Sequence, residues 1–197
     1  MVELETPTNA LVEAYIEKFH HDERYFVADN AIVKLFDAFP ANLELEDILL
    51  KISVINDLYS TNIFGTFIMS KHIQSLKIDA AIRAGNPKAV HRIATGHGIR
   101  SNRNNKELNF YSFATKYCNW HNREDYAIYD RFVHKLLMAY KRRDGFAKFK
   151  ASQLKDFGSF KGIIEEFITF YGLSSHTLKE IDKFLWMYGK EKFPTKY

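Results

Sequence analysis

Two residues of this chain have the types and the spacing for chemistry at a sugar carbon. Lys116 lies in the aromatic-rich segment Ser112-Phe113-Ala114-Thr115-Lys116-Tyr117-Cys118, and Asp130 opens Asp130-Arg131-Phe132-Val133. Aromatic neighbours strip water from a lysine, and desolvation disfavours the ammonium form. A neutral amine is a nucleophile that forms Schiff bases. An aspartate just before an apolar-periodic helix accepts N–H bonds from the first turn, so it caps the helix. A carboxylate fixed that way can also stabilise the positive charge that develops at a sugar C1′. Lys116 sits some five residues before the end of its helix, about 7–8 Å along the axis. The eight residues Asn122 to Tyr129 can return over that span at up to ~3.3 Å each.

The elements that must hold these residues are helices. Proline is scarce, alternating strand patterns are hard to find, and apolar residues recur at helical spacing. Thr8 or Asn9 caps a first helix through Leu11, Val12, Tyr15, Ile16 and Phe19. Asp29 or Asn30 caps a second, with Ile32, Val33, Phe36 and Phe39 on one face and Pro40 at its end. Glu46 to Tyr59 is a third and Phe67 to Ser75 a fourth. Asp79 caps a turn from Ala80 to Ala84, and Lys88 to Ala94 comes after Pro87, which suits a first turn. Leu108 to His121 carries Phe110, Phe113, Ala114, Tyr117, Cys118 and His121 on one face. Further helices run from Arg131 to Tyr140, from Phe160 to Tyr171 and from Thr177 to Gly189, with Gly172 and Gly189 as stops. The sum is an all-α, multi-helix globular domain.

The chain of 197 residues is 46% apolar and 15% aromatic, enough for one sizeable core. Its net charge is only +4, but the charge is segregated. Residues 1–50 hold three basic and eleven acidic side chains, so the rest holds 28 − 3 = 25 basic and 24 − 11 = 13 acidic. We therefore expect a single domain over 1–197, with an acidic helical part at 1–50 and a basic helical body at 51–197 that suits a polyanion. Cys118 is the single cysteine, which excludes an internal disulfide. No secretory signal or bilayer-spanning run is legible, so a cytoplasmic protein with no membrane partner is expected.

The longest polar stretch, Thr95 to Lys106, reads as a loop. Within it Gly96 and Gly98 let backbone amides approach an anion, and Arg100, Arg103 and Lys106 add charge, so these five are candidate nucleic-acid ligands. Chemistry on a base requires the base to leave the stack for an aromatic-lined pocket. Tyr111, Trp120, Tyr126 and Tyr129 are the candidate walls. The eight histidines lack zinc-ligand spacing, and neither a P-loop nor a serine nucleophile elbow is present, so no metal and no cofactor is expected.

Thr115-Lys116 on a helix, followed by Tyr129-Asp130-Arg131-Phe132-Val133, resembles the helix-hairpin-helix DNA glycosylases, and the 8-oxoguanine DNA glycosylase fold in particular. The resemblance covers about residues 108–137. It implies a DNA repair enzyme that cleaves the N-glycosidic bond of a flipped nucleotide, with lyase activity through an imine. Lys116 would be the Schiff-base nucleophile and Asp130 the carboxylate that activates it and stabilises the sugar cation. The sequence departs from the family pattern around both residues and in a shortened loop between the lysine and the aspartate. No glycine stands in Asn109 to Ala114, where the family's Gly-x-Gly hairpin should lie, and Ile128, Tyr129 and Phe132 replace the usual residues around the aspartate. Two alternatives stay open: a non-catalytic nucleic-acid-binding protein of the same fold, and a helical protein-interaction module.

Overall fold

The computed structural model describes residues 3–194. Among them are ten α-helices, one short 3-10 helix and no strand, so the fold class is all-α. The described residues pack as two compact units, 27–126 and 3–26 with 127–194. The chain passes from one to the other inside the helix Glu23–Ala38 and returns between Tyr126 and Ala127.

The discontinuous unit contains α1 (Asn9–His21), the start of α2 (Glu23–Ala38), α8 (Arg131–Asp144), α9 (Phe157–Tyr171) and α10 (Leu178–Lys192). Thr8 caps α1, its hydroxyl accepting from Leu11 N. Thr177 and Glu180 form a reciprocal capping box on α10, the device that Thr-x-x-Glu specifies. The core between these helices is aromatic: Tyr15 meets Phe184 and Tyr188 edge-on at 6.0 and 5.1 Å. Gly172 ends α9 at φ +66°, where a side chain would be strained. Gly189 is not a stop. Helix α10 runs through it to Lys192, and the glycine lets the backbone of Phe132 on α8 come close. A 3-10 turn at Ala151–Lys155, absent from the periodicity, leads into α9.

The continuous unit contains most of α2, then α3 (Leu45–Tyr59), α4 (Thr66–Leu76), α5 (Asp79–Arg83), α6 (Lys88–Ala94) and α7 (Tyr111–His121). Ile48, Ile52 and Ile55 repeat at helical spacing on α3 and are fully buried. Each contributes about 1.5–3 kcal/mol by leaving water. The second helix starts at Glu23 rather than at Asp29 or Asn30, which lie inside it. Its first half buries no residue fully, so no apolar stripe marks the start. Asp79 is the first residue of α5 and not its cap, because its carboxylate accepts from the backbone N and side-chain amide of Asn42.

That asparagine belongs to a buried polar network. The ammonium of Lys51, fully buried on α3, donates to Phe39 O, Ala41 O and Asn42 Oδ1 at 3.0, 2.8 and 2.9 Å. Three acceptors match its three N–H groups. Burial pushes the Lys51 pKa down to about 8, against the pull of Asp79 and Asp47, so the amine is still protonated at neutral pH. Tyr117 also donates to Asn42 Oδ1.

Candidate active site and nucleic-acid interface

Helix α7 is buried along nearly its whole length, from Tyr111 through Trp120. Lys116 is therefore only 3% exposed. Helical side chains lean back toward the N-terminus. The Lys116 amine accordingly lies one turn earlier, donating to Ser112 Oγ at 2.8 Å and to Ser112 O at 3.3 Å. It also stands over the Tyr59 ring at 5.5 Å. Ser112 and Tyr59 are thus among the neighbours of this amine, and neither stands out in the sequence as a site residue. The i−4 spacing of Ser112 is the available signal.

Asp130 lies in the other unit and caps α8 as expected. Its Oδ1 accepts from Phe132 N at 2.7 Å and from Val133 N at 2.9 Å, and the residue is half-buried. Tyr129, beside it, is buried, gives its hydroxyl to a hydrogen bond with His134 Nδ1 at 3.0 Å, and meets Phe160 edge-on. Burial raises the Tyr129 phenol pKa and lowers that of His134.

The three other aromatic candidates are core residues of the 27–126 unit, each less than a tenth exposed. Tyr111 stacks on His91. Trp120 carries Arg123 over its ring at 5.0 Å. Tyr126 donates to Asn86 O at 3.0 Å.

The polar stretch before α7 is a hairpin. Arg100 pairs antiparallel with Glu107, Ser101 N donates to Lys106 O, and Leu108 N donates to Ile99 O. The next helix consequently starts at Tyr111, three residues later than its periodicity suggests. Gly96 and Gly98 both take positive φ, at 79° and 77°. Their amides face an anion, but it is the protein's own. Gly98 N donates to Glu107 Oε1 at 2.9 Å, and this bond, with another from Gly96, holds the Glu107 carboxyl below its ordinary pKa. His97 between them is buried and neutral. Ile99 N donates to its Nδ1, so Nε2 carries the proton and donates to Ala94 O. Arg100 donates to Asn105 O, and Arg100, Arg103 and Lys106 are all exposed. The hairpin thus brings the three cations together on one side chain-rich arm, while its glycine amides are already engaged.

With this geometry in view, the relatives of the chain can be placed. Residues 11–125 match the family model HI_0787_N, described as an N-terminal domain. The chain belongs to this family. The matched segment ends one residue before the continuous unit does, at Tyr126. It takes in Lys116 and the whole basic hairpin, and leaves Asp130 outside. An uncharacterized protein of Haemophilus influenzae is 37% identical over 151 residues, covering 76% of this chain and 70% of its own length. No solved structure matches. In this chain, then, the amine and the hairpin lie inside the segment matched by the N-terminal-domain model, and the capping carboxylate lies beyond its end.

Proposed function

We propose that this protein acts on DNA as a base-excision enzyme whose reacting amine is Lys116. One observation carries the reading. A desolvated lysine stands on the helix that directly succeeds a turn-rich hairpin, and that hairpin joins two mutually packed helices, α6 and α7. The amine adds to C1′ while the N-glycosidic bond breaks and its electron pair leaves with the base. Loss of the amine proton and opening of the sugar ring leave an imine. Asp130 is assigned the stabilisation of the sugar cation by resemblance, and its part is tested by its own variants.

The test is borohydride trapping on DNA containing an abasic site. Wild-type protein should give a covalent adduct, and Lys116→Met, which keeps the volume of the buried side chain, should give none. An adduct of equal yield in the variant removes Lys116 from the reaction. No adduct and no base release from either protein removes the excision reading altogether.

A second reading has its own support. Lys116 is already bonded to Ser112, and the Gly98 amide is already given to Glu107. Both features fit a protein that binds nucleic acid without cutting the glycosidic bond. Affinity that falls steeply with salt, with no adduct and no released base, is the outcome that selects it.

A further inference from the structure

The turn between α3 and α4 holds an aromatic ring out into solvent. Phe64 is 93% exposed. The turn that presents it is well pinned. Asn56 Oδ1 accepts from Ile63 N at 2.8 Å and from Thr61 Oγ1 at 2.9 Å, and Asn56 Nδ2 donates to Ile63 O. Ile63 is buried, so its neighbour is turned outward by a fixed frame. Phe67 and Ile68, about half exposed, continue the apolar surface on the first turn of α4. An exposed phenylalanine forgoes the gain of leaving water. A contiguous group of such residues on a rigid turn marks a contact surface.

Beside Phe64 opens a cleft of about 430 Å³, lined by Asn56, Asp57, Ser60, Asn62 and Thr66 as well as the ring. From Asn62 to Lys106 the chain has eight basic residues (Lys71, Lys77, Arg83, Lys88, Arg92, Arg100, Arg103, Lys106) and one acidic residue, Asp79, and two of the eight lie beside this turn. Lys71 stands over the Phe67 ring at 4.9 Å. The basic hairpin is attached to the same turn. Gly65 lies against Ile99, where a Cβ would meet Ile99 Cδ1 at 3.1 Å, and Arg100 comes next in the chain.

We infer that this surface binds single-stranded nucleic acid, with an unpaired base stacked on Phe64 in the cleft and the phosphates on the side of Lys71 and Arg100. Three features favour that occupant. A ring standing alone can stack on a base only where the base is not already stacked in a duplex. The cleft wall carries the hydroxyls of Ser60 and Thr66, which suit the polar edge of a base. Asp57 excludes a phosphate from the cleft itself and so directs the backbone to the cations outside. An anionic lipid surface would fit poorly, because docking Phe64 into it would press the Asp57 carboxylate against like charge. The inference rests on the nucleic-acid part of the function proposed above and not on its bond-breaking step.

The experiment is fluorescence anisotropy with a labelled, mixed-sequence strand of about 15 nucleotides, alone and annealed to its complement. The strand alone should bind at least about tenfold more tightly than the duplex. Phe64→Ala should weaken strand binding about tenfold, the usual cost of losing one stacking platform, while Phe64→Trp restores it. The urea midpoint of both variants should match wild type because the ring touches little. Equal affinity of Phe64→Ala and wild type overturns the assignment, as does preference for the duplex. Binding to phosphatidylserine vesicles in place of the strand overturns it too. If neither an adduct nor base release is seen while the Phe64 effect holds, the excision reading falls and this surface stands. If trapping succeeds in Phe64→Ala and strand binding is unchanged, the reverse is true.

Discussion

Asp130 carries two assignments that a single substitution would confuse. Its Oδ1 satisfies two first-turn amides of α8, and removing such a cap costs about 1 kcal/mol. It is also the carboxylate that the glycosylase resemblance gives to the sugar cation. Asp130→Ala should lower the urea-unfolding free energy by about 1 kcal/mol. Asp130→Ser keeps a capping oxygen and should stay within a few tenths of wild type, yet it has no charge to offer a cation. A base-release rate at least about a hundredfold down in Asp130→Ser, with stability intact, separates the two roles. An Asp130→Ser protein as active as wild type leaves only the cap. At this scale the sequence is readable where a contact is local: a cap lies two or three residues from the amides it serves, and Ser112 lies one turn from Lys116. It is silent on Gly98 and Glu107, because nine residues and a hairpin closure separate them, and nothing local says which anion the glycine amides will take.

At the scale of elements the decisive contact is a helix crossing. Gly189 sits in the middle of the last turns of α10, and an added Cβ would lie 3.0 Å from the carbonyl oxygen of Phe132 and 3.2 Å from its Cβ. Intrinsic propensity favours alanine over glycine inside a helix by about 1 kcal/mol. Crowding against a backbone carbonyl works the other way and typically costs about 1–3 kcal/mol. Because the obstructing atom belongs to the main chain, α10 must shift relative to α8, and we expect Gly189→Ala to be destabilised by about 1–2 kcal/mol in urea unfolding. A variant more stable than wild type would show that the crossing has slack. This residue also shows what periodicity conceals. A glycine near the end of a helical pattern is ordinarily a stop, and only the partner helix reveals that its missing side chain is needed for close approach. The helix starts depart from their expected places for related reasons. Helix α2 begins six residues before Asp29 without an apolar stripe to announce it, and α7 begins late because Leu108 N is bonded back to Ile99 O in the hairpin. The exposed ring of Phe64 is equally hidden, since a phenylalanine between turn residues reads as core until burial is known.

For the whole molecule the most informative response is to acid. His121 is held neutral. Burial is the main cause, the nearby Lys51 ammonium adds to it, and together they push its pKa down to about 3 from 6.5. Its Nε2 is buried and receives no hydrogen bond from any described residue. In the unfolded chain the same imidazole takes up a proton near pH 6.5, whereas the folded protein refuses it. Stability must therefore fall as pH drops below about 6.5, by up to about 1.4 kcal/mol per pH unit for one such group. His97 and His134, also lowered mainly by burial, act in the same direction. The carboxyls held below their ordinary values, Asp22, Glu107, Asp144, Glu180 and Glu191, add their loss mainly below about pH 4.5, where the unfolded chain protonates them. The interval from about pH 6.5 to 4.5 thus isolates the histidines. His121→Phe fills a site already lined by Phe36 and Tyr117 but gives up the bond to Pro40, so it should be less stable at pH 7. Its unfolding free energy should nonetheless fall with acid distinctly more slowly than that of wild type. The check is a series of urea titrations across that interval. A wild-type stability that is flat from pH 7 to 5, or equal slopes for the two proteins, would mean that His121 reaches solvent and takes its proton without unfolding the core around Lys51.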